Sequence, residues 1–190
     1  TTRTMVLERG RIAFDGATSD ALAYYRALQT EGAEAPHAYR ATPGRTGIHV
    51  ESGRVVASMG DGIQRHGDPF ALEFIVDIPE PVPKLCFSVH IMDETDRAIN
   101  HFWIYGDGPV FRNATGRFDV RIEVPKYHLS MGRYTVALWL NNRATHETYD
   151  HLTNICAFEV TMDGLQRPDY DWSPDHMVYA EDYVWHVQRA

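Results

Sequence analysis

Apolar and polar residues alternate with a period of two along most of the chain after residue 47. The clearest case is the segment 116–124, where Phe118, Val120, Ile122 and Val124 alternate with charged residues. Such alternation puts successive side chains on opposite faces of a strand. The pattern predicts seven short strands, over 48–57, 70–78, 85–93, 97–108, 116–124, 132–142 and 151–160. Because no helical periodicity separates them, we expect an all-β fold, an immunoglobulin-like antiparallel β-sandwich.

The first residues follow a different pattern. Residues 5–14 alternate loosely around a turn at Arg9 and Gly10, which predicts a hairpin. Beyond it, Leu22, Tyr25 and Leu28 recur at helical spacing. We therefore expect a short hairpin-helix fragment ahead of the sandwich. One hairpin and one helix cannot bury an apolar face alone, so this fragment needs a partner surface.

These patterns divide the chain into three parts. The predicted divisions are the hairpin-helix fragment over 1–28, a Pro-, Gly- and Ala-rich linker over 29–47, and the β-sandwich over 48–190. Near the end, "DYVWHV" at 182–187 is a further strand candidate. A strand that finds no place in its own sheet offers its edge to a second copy of the chain.

Charge and composition exclude several classes of protein. The chain holds 26 acidic and 18 basic residues, for a formal net charge of −8. This balance argues against a nucleic-acid partner, which requires a basic patch. The sequence contains no apolar run of about 18 residues that could span a membrane. It also lacks an apolar signal core with a cleavage site at its start, so the sequence gives no indication of secretion.

The two cysteines, Cys86 and Cys156, flank Trp103 in the order seen in immunoglobulin domains. The tyrosine that such domains carry two residues before the second cysteine is replaced by Asn154. The sequence therefore favours two free thiols in a reducing compartment over a disulfide bond.

Signatures of metal, cofactor and catalytic sites are weak or absent in the sequence. The closest histidine pair, His146 and His151, lacks the compact spacing of zinc ligands. Ser88 and His90 share a strand face about 6.6 Å apart, but no nucleophile elbow accompanies them. No phosphate-binding GxxxxGK[ST] loop occurs. The sequence indicates no metal, no cofactor and no catalytic residue, with a hydrolase as a remote alternative.

The non-core faces of three predicted strands carry unusual residues for a solvated sheet. If these strands share one sheet, aromatic and hydrogen-bonding side chains meet on its outer side. Sugars stack their C–H faces on flat rings and need fixed donors and acceptors at their hydroxyl rims, so this set predicts a carbohydrate site. The candidate residues are Ser88, His90, His101, Trp103, Tyr105, Trp139, Asn141 and Arg143.

Two parts of the chain resemble a known family. "VLERGRIAFDGATSDALAYYRAL" resembles the C-terminal end of ABC transporter ATPase domains. The matching positions are Leu7, Gly10, Ile12, Gly16, Leu22 and Tyr25. After the linker, "GDPFALEF" at 67–74, "LSMGRYTV" at 129–136 and "AFEV" at 157–160 are similar to the C-terminal domain of the ATP-binding subunit of O-antigen polysaccharide exporters, the Wzt type.

The resemblance implies that residues 1–28 are the C-terminal remnant of an ABC ATPase domain and that the sandwich binds O-antigen polysaccharide. Binding to the modified non-reducing end would select finished chains for export. It also implies a homodimer, in some members with exchange of the C-terminal strand. The transmembrane subunit of the transporter would be a partner through the parent ATPase, at the cytoplasmic face of the bacterial inner membrane. The nucleotide-binding motifs of that ATPase are absent from this chain.

The family's ligand face varies with the polymer, so the candidate residues rest on the face pattern alone. An alternative from another class stays open, in which the sandwich binds no sugar and serves as a dimerisation or interaction module of the transporter.

Overall fold

The computed structural model describes residues 3–8, 10–17, 21, 24, 36–104, 111, 113, 115–163, 165, 172–173, 177–183 and 185–187. They fall into two compact units, Thr1–Pro36 and His37–Ala190. The sheets confirm the all-β prediction. Across the described ranges, no helix has the length and apolar character needed to cross a membrane.

The first unit contains the predicted hairpin. Strand β1 (Thr4–Glu8) pairs antiparallel with β2 (Arg11–Gly16), and Gly10 takes a φ of 79° in the turn between them. A positive φ is a conformation that glycine adopts without steric cost, which explains its use at this turn. Of the predicted helix, Ala21 and Tyr24 are described and are helical, while Leu22, Tyr25 and Leu28 lie outside the described residues.

The described residues of the second unit form nine strands. They are β3 (Ala38–Arg40), β4 (His49–Val56), β5 (Ile63–Arg65), β6 (Phe70–Ile78), β7 (Leu85–Met92), β8 (Ala98–Ile104), β9 (Gly116–Val124), β10 (Gly132–Asn142) and β11 (Thr148–Thr161). A five-stranded sheet has the order β5-β11-β10-β7-β8, and a four-stranded sheet the order β3-β4-β6-β9. All pairs are antiparallel except β5 with β11.

Alternating residues from both sheets form one core. In β7 Leu85, Phe87, Val89 and Ile91 are buried, as the alternation predicts, and Cys86 on the other face is buried as well. Phe87 meets Phe74 of the opposite sheet edge to face, with ring centroids 5.4 Å apart. This contact joins the two sheets of the sandwich. Burying aromatic and aliphatic side chains is the main favourable contribution to such a fold.

Gly53 of β4 shows how closely this core is packed. A Cβ atom at this position would lie 2.7 Å from the ring of Phe74, closer than carbon atoms approach. The absence of a side chain at Gly53 therefore leaves room for the ring of its cross-strand partner Phe74.

The expected linker requires a correction at its C-terminal part. Ala38–Arg40 of β3 pairs with Arg54, Gly53 and Ser52 of β4, so the second unit begins at His37 rather than at residue 48. A three-residue edge strand between Pro36 and the turn at Pro43 is too short to show a period of two. Residues 29–35 lie outside the described residues.

The two cysteines are free and buried, as predicted. Burial raises the pKa of both thiols, that of Cys156 to about 12. A thiol with a raised pKa is a poor nucleophile, so both cysteines act as small apolar side chains.

The outer side of the four-stranded sheet carries ion pairs between neighbouring strands. Glu73 of β6 lies between Arg54 of β4 and Arg121 of β9 and is paired with both. Arg117 pairs with Glu51 at 2.8 Å on the same sheet. This charged face is the ordinary solvated side of a sandwich. Its exposed ion pairs contribute little to stability.

The tail is attached to the loop before β10. Ser130 N donates to Val178 O and Ala180 N donates to His128 O, both at 2.9 Å, around a bridge between Leu129 and Tyr179. Beyond this point, the described residues of 182–187 form no strand within the chain. The prediction that this segment pairs with a second copy therefore stays a prediction.

Candidate functional site

Register aligns four outward side chains across four neighbouring strands of the five-stranded sheet. Ser88 of β7 is paired with Trp103 of β8 on one side and with Trp139 of β10 on the other. Trp139 is in turn paired with His151 of β11. We call this set, Trp103, Ser88, Trp139 and His151, the aromatic row. The strands that carry the candidate residues thus lie in one sheet, as the carbohydrate-site prediction required.

Two histidines lie beside the aromatic row. His90 of β7 and His101 of β8 are paired across the strands, and their rings stack with centroids 4.1 Å apart. Each is two residues from a member of the row, which is about 7 Å along an extended strand. We call them the imidazole pair. They are brought together because β7 and β8 form a regular antiparallel ladder at this point.

The Ser88 hydroxyl links the imidazole pair to the row. Its Oγ lies 2.6 Å from Nε2 of His101 and 3.4 Å from Nε2 of His90. A hydroxyl has one hydrogen to donate and two lone pairs, so Ser88 can bond both rings at once, and the tautomer of each ring sets which partner donates. A short polar side chain in the row therefore fixes the direction of two imidazole rings.

The two tryptophans differ in their surroundings. Trp139 is half-buried, stacks on His151 with centroids 4.6 Å apart, and meets His90 at a steep angle at 4.9 Å. Trp103 has 49% of its surface exposed and contacts His101 at 4.5 Å. Trp103 therefore offers the larger accessible ring surface, whereas the ring of Trp139 is packed between those of its neighbours.

Within the imidazole pair, the surroundings of His90 favour its uncharged form. Burial, with a further contribution from the neighbouring His101, lowers the pKa of His90. A neutral imidazole offers one donor and one acceptor nitrogen, the combination that suits a sugar hydroxyl. The set formed by the row and the pair contains no Asp or Glu, so it lacks the carboxylates on which most glycoside hydrolases depend.

The other candidate residues are distributed around the row. Asn141 lies two residues beyond Trp139 on β10, paired with Cys86. Arg143 is exposed in the turn after β10, where its N donates to Lys84 O at 3.2 Å. It is farther from the row, since four residues of strand span about 13 Å. Tyr105 lies outside the described residues.

His151 is a site residue that the face pattern missed. In the sequence, His151 stood out only as one of a histidine pair with poor spacing for a metal. Nothing in the pattern placed β11 beside β10. Asp150, the residue of β11 that precedes His151, anchors this strand. Its buried carboxylate accepts hydrogen bonds from Arg45 Nη2 at 2.6 Å and from Val50 N at 2.9 Å. Among the residues that the structure describes, no group of three or more His, Cys, Asp or Glu side chains could hold a metal ion.

An immunoglobulin-like sandwich with an open face of rings, hydroxyl and amide groups defines a binding domain rather than an enzyme. Residues 61–169 match the family model described as the Wzt C-terminal domain, and the chain therefore belongs to that family. It is thus a non-catalytic carbohydrate-binding domain of an ABC transporter subunit. The resemblance of the sandwich to that domain, read from the sequence, is confirmed.

Solved structures support the fold. The crystal structure of the C-terminal domain of wzt matches 86% of this chain and 96% of its own, with a TM-score of 0.57 at 11% identity. Alkylpurine DNA glycosylase AlkC of Pseudomonas fluorescens, bound to DNA containing an abasic site analog, is 17% identical over 60% of this chain and 30% of its own. Its TM-score of 0.34 supports no inference. A comparison with curated proteins gave no match.

Proposed function

We propose that the chain binds O-antigen polysaccharide on the outer face of the five-stranded sheet, through its modified non-reducing end. The observation that carries the proposal is the meeting of Trp103, Trp139 and Ser88 with the imidazole pair on one outward face. Rings supply stacking surface for the apolar side of a sugar, and the imidazole nitrogens and Asn141 supply hydrogen-bonding partners for its hydroxyls.

Affinity for a single site should be modest. Each hydrogen bond to a sugar hydroxyl replaces a bond to water, and association has an entropic cost of its own. Two linked sites that engage one polymer would bind more tightly than either alone. A modest affinity also suits a transporter component, because the polymer must be released after it has been recognised.

In this proposal the sandwich selects finished chains for export. The parent ATPase would contact the transmembrane subunit at the cytoplasmic face of the bacterial inner membrane. The domain itself does no chemistry on the polymer, and its recognition would be coupled to transport through the rest of the subunit.

A homodimer is part of the proposal, and the tail supports it. Trp185 is 80% exposed and Val187 is 87% exposed, next to Tyr183 at 59%. Apolar side chains that are this exposed mark an interaction surface. The same observation favours the second candidate function, in which the sandwich is a dimerisation or interaction module of the transporter and binds no sugar.

Calorimetric titration with O-polysaccharide from the source organism separates the two candidates. We expect saturable binding that weakens at least tenfold in Trp103→Ala and weakens when the terminal modification of the polymer is removed. The matched control is Trp185→Ala, which should keep the affinity per site and lower the dimer fraction. Absence of binding, or equal binding by Trp103→Ala and the unaltered chain, would reject the carbohydrate site and leave the interaction module.

A further inference from the structure

We propose that the aromatic row holds a segment of several sugar units that crosses the strands of the sheet, rather than a single terminal sugar. This inference rests on the proposed function and specifies the form of ligand that the same face takes. It follows from the register of β8, β7, β10 and β11, which lines up Trp103, Ser88, Trp139 and His151.

The row is long in one direction. Its members lie on four successive strands, so its ends are three inter-strand spacings apart, or about 14 Å. One sugar ring cannot contact both Trp103 and His151 at that separation. A ligand that uses the whole row must therefore contain several linked rings.

The chemistry on either side of the row matches the two kinds of surface on a sugar chain. Along the row, indole and imidazole rings present stacking surfaces on both sides of the small Ser88 side chain. Beside it, the imidazole pair lies toward one end of the strands and Asn141 toward the other, about 7 Å from the row along extended β10. Apolar sugar faces would lie over the row, with hydroxyl rims turned to these flanks.

A path along the strands is less favourable. Following β10 from Trp139 in one direction, the next outward position is Ala137, which is only 2% exposed and provides no ring. In the other direction lie Asn141 and then the exposed Arg143. Among the described residues, outward ring-bearing side chains continue on both sides of Trp139 only across the strands, with His151 on one side and Trp103 beyond Ser88 on the other.

The two ends of the row provide a test. O-polysaccharide from the source organism is cut by partial acid hydrolysis, and the fragments that retain the original non-reducing end are purified by length, from a single sugar up to long oligosaccharides. Calorimetry should show affinity rising with fragment length until the row is filled and then levelling. His151→Asn should weaken binding of the long fragments about fivefold and leave that of the shortest fragment unchanged. His146→Asn, the same substitution in the turn before β11, should match the unaltered chain at every length.

Additivity gives a second readout. Residues about 14 Å apart without shared partners contribute independently, so Trp103→Ala and His151→Asn should have nearly additive effects on long fragments. Affinity that does not grow beyond a single sugar would overturn the crossing segment, and so would a His151→Asn effect that is equal at all lengths. The proposed function would survive both of these results. If neither polymer nor fragment binds at all, both proposals fail together.

Discussion

Ser88 Oγ lies 2.6 Å from Nε2 of His101, across the pairing of β7 with β8. The same oxygen is within reach of His90, so one hydroxyl orients both rings of the imidazole pair. The ring nitrogens are the groups that would meet sugar hydroxyls. The serine is therefore expected to act on binding mainly through the two histidines.

Replacing this hydroxyl should affect binding more than folding. Ser88→Ala removes one hydrogen-bonding group from a half-buried site and frees both rings to rotate. We expect affinity for the O-polysaccharide to fall about fivefold, which corresponds to about 1 kcal/mol, the usual contribution of one hydrogen bond. Calorimetry measures the affinity, and thermal unfolding should change little. Ser52→Ala, on a strand of the other sheet, is the control, and equal affinities for both variants would contradict the role of Ser88.

The two tryptophans should differ in how much each contributes to the free energy of unfolding. Trp139→Ala removes a half-buried ring that contacts His151 and His90, and we expect the free energy of unfolding to fall by about 2 kcal/mol. Trp103→Ala removes a ring that is 49% exposed, so the loss should stay below about 1 kcal/mol. Urea unfolding followed by circular dichroism compares the two. A larger loss for Trp103→Ala would show that the packed and accessible roles are reversed.

His90 should make stability depend on pH. Its pKa is lowered in the folded chain by burial and by His101, whereas an unfolded histidine titrates near 6.5. The unfolded state therefore binds the proton more readily, and the contribution of His90 is complete above about pH 6.5 and is lost as the pH falls toward the lowered value.

Thermal unfolding measured from about pH 7.5 to about pH 5 tests this expectation. His90→Gln should lose less stability over this range than the unaltered chain does. His146→Gln, at an exposed turn position, should retain the full dependence. A His90→Gln curve that runs parallel to the unaltered one would assign the pH dependence to other groups.

Asp150 should be the most sensitive polar residue of the sandwich. Asp150→Ala leaves the N–H of Val50 without its acceptor and Arg45 without its anion, so unfolding should require about 3 kcal/mol less. Asp150→Asn keeps one acceptor oxygen and should lose about half as much. Urea unfolding of the three proteins gives this order directly. An alanine variant as stable as the unaltered chain would mean that β11 is held by its backbone ladder alone.

Much of this architecture could be predicted because period-two alternation survives in the long strands. Core positions of β7, such as Phe87 and Val89, were predicted from their spacing alone. The three-residue strands β3 and β5 were missed, since three residues show no period and both adjoin turns rich in Gly and Pro. For the same reason the expected linker extended too far.

The sequence predicted which strand faces carry the candidate site, but not which of its residues lie opposite one another. The residues outward on β7, β8 and β10 follow from alternation. Which of them stand opposite one another depends on pairing and on bulges. β11 shifts register against β10 three times, and its Asn154 and Cys156 take φ values of 55° and 50°. Such bulges leave no clear mark in the sequence, and His151 was missed as a result.

The ion pairs on the four-stranded sheet make the two outer sides of the sandwich respond differently to dissolved salt. At physiological ionic strength, charges are screened over about 8 Å, so the attraction between Glu73 and its arginine partners weakens as salt rises. Stacking and hydrogen bonding by uncharged rings have no comparable dependence. Changes in the ionic medium would thus alter how the charged side meets its surroundings, while glycan binding at the proposed site on the other side would stay constant.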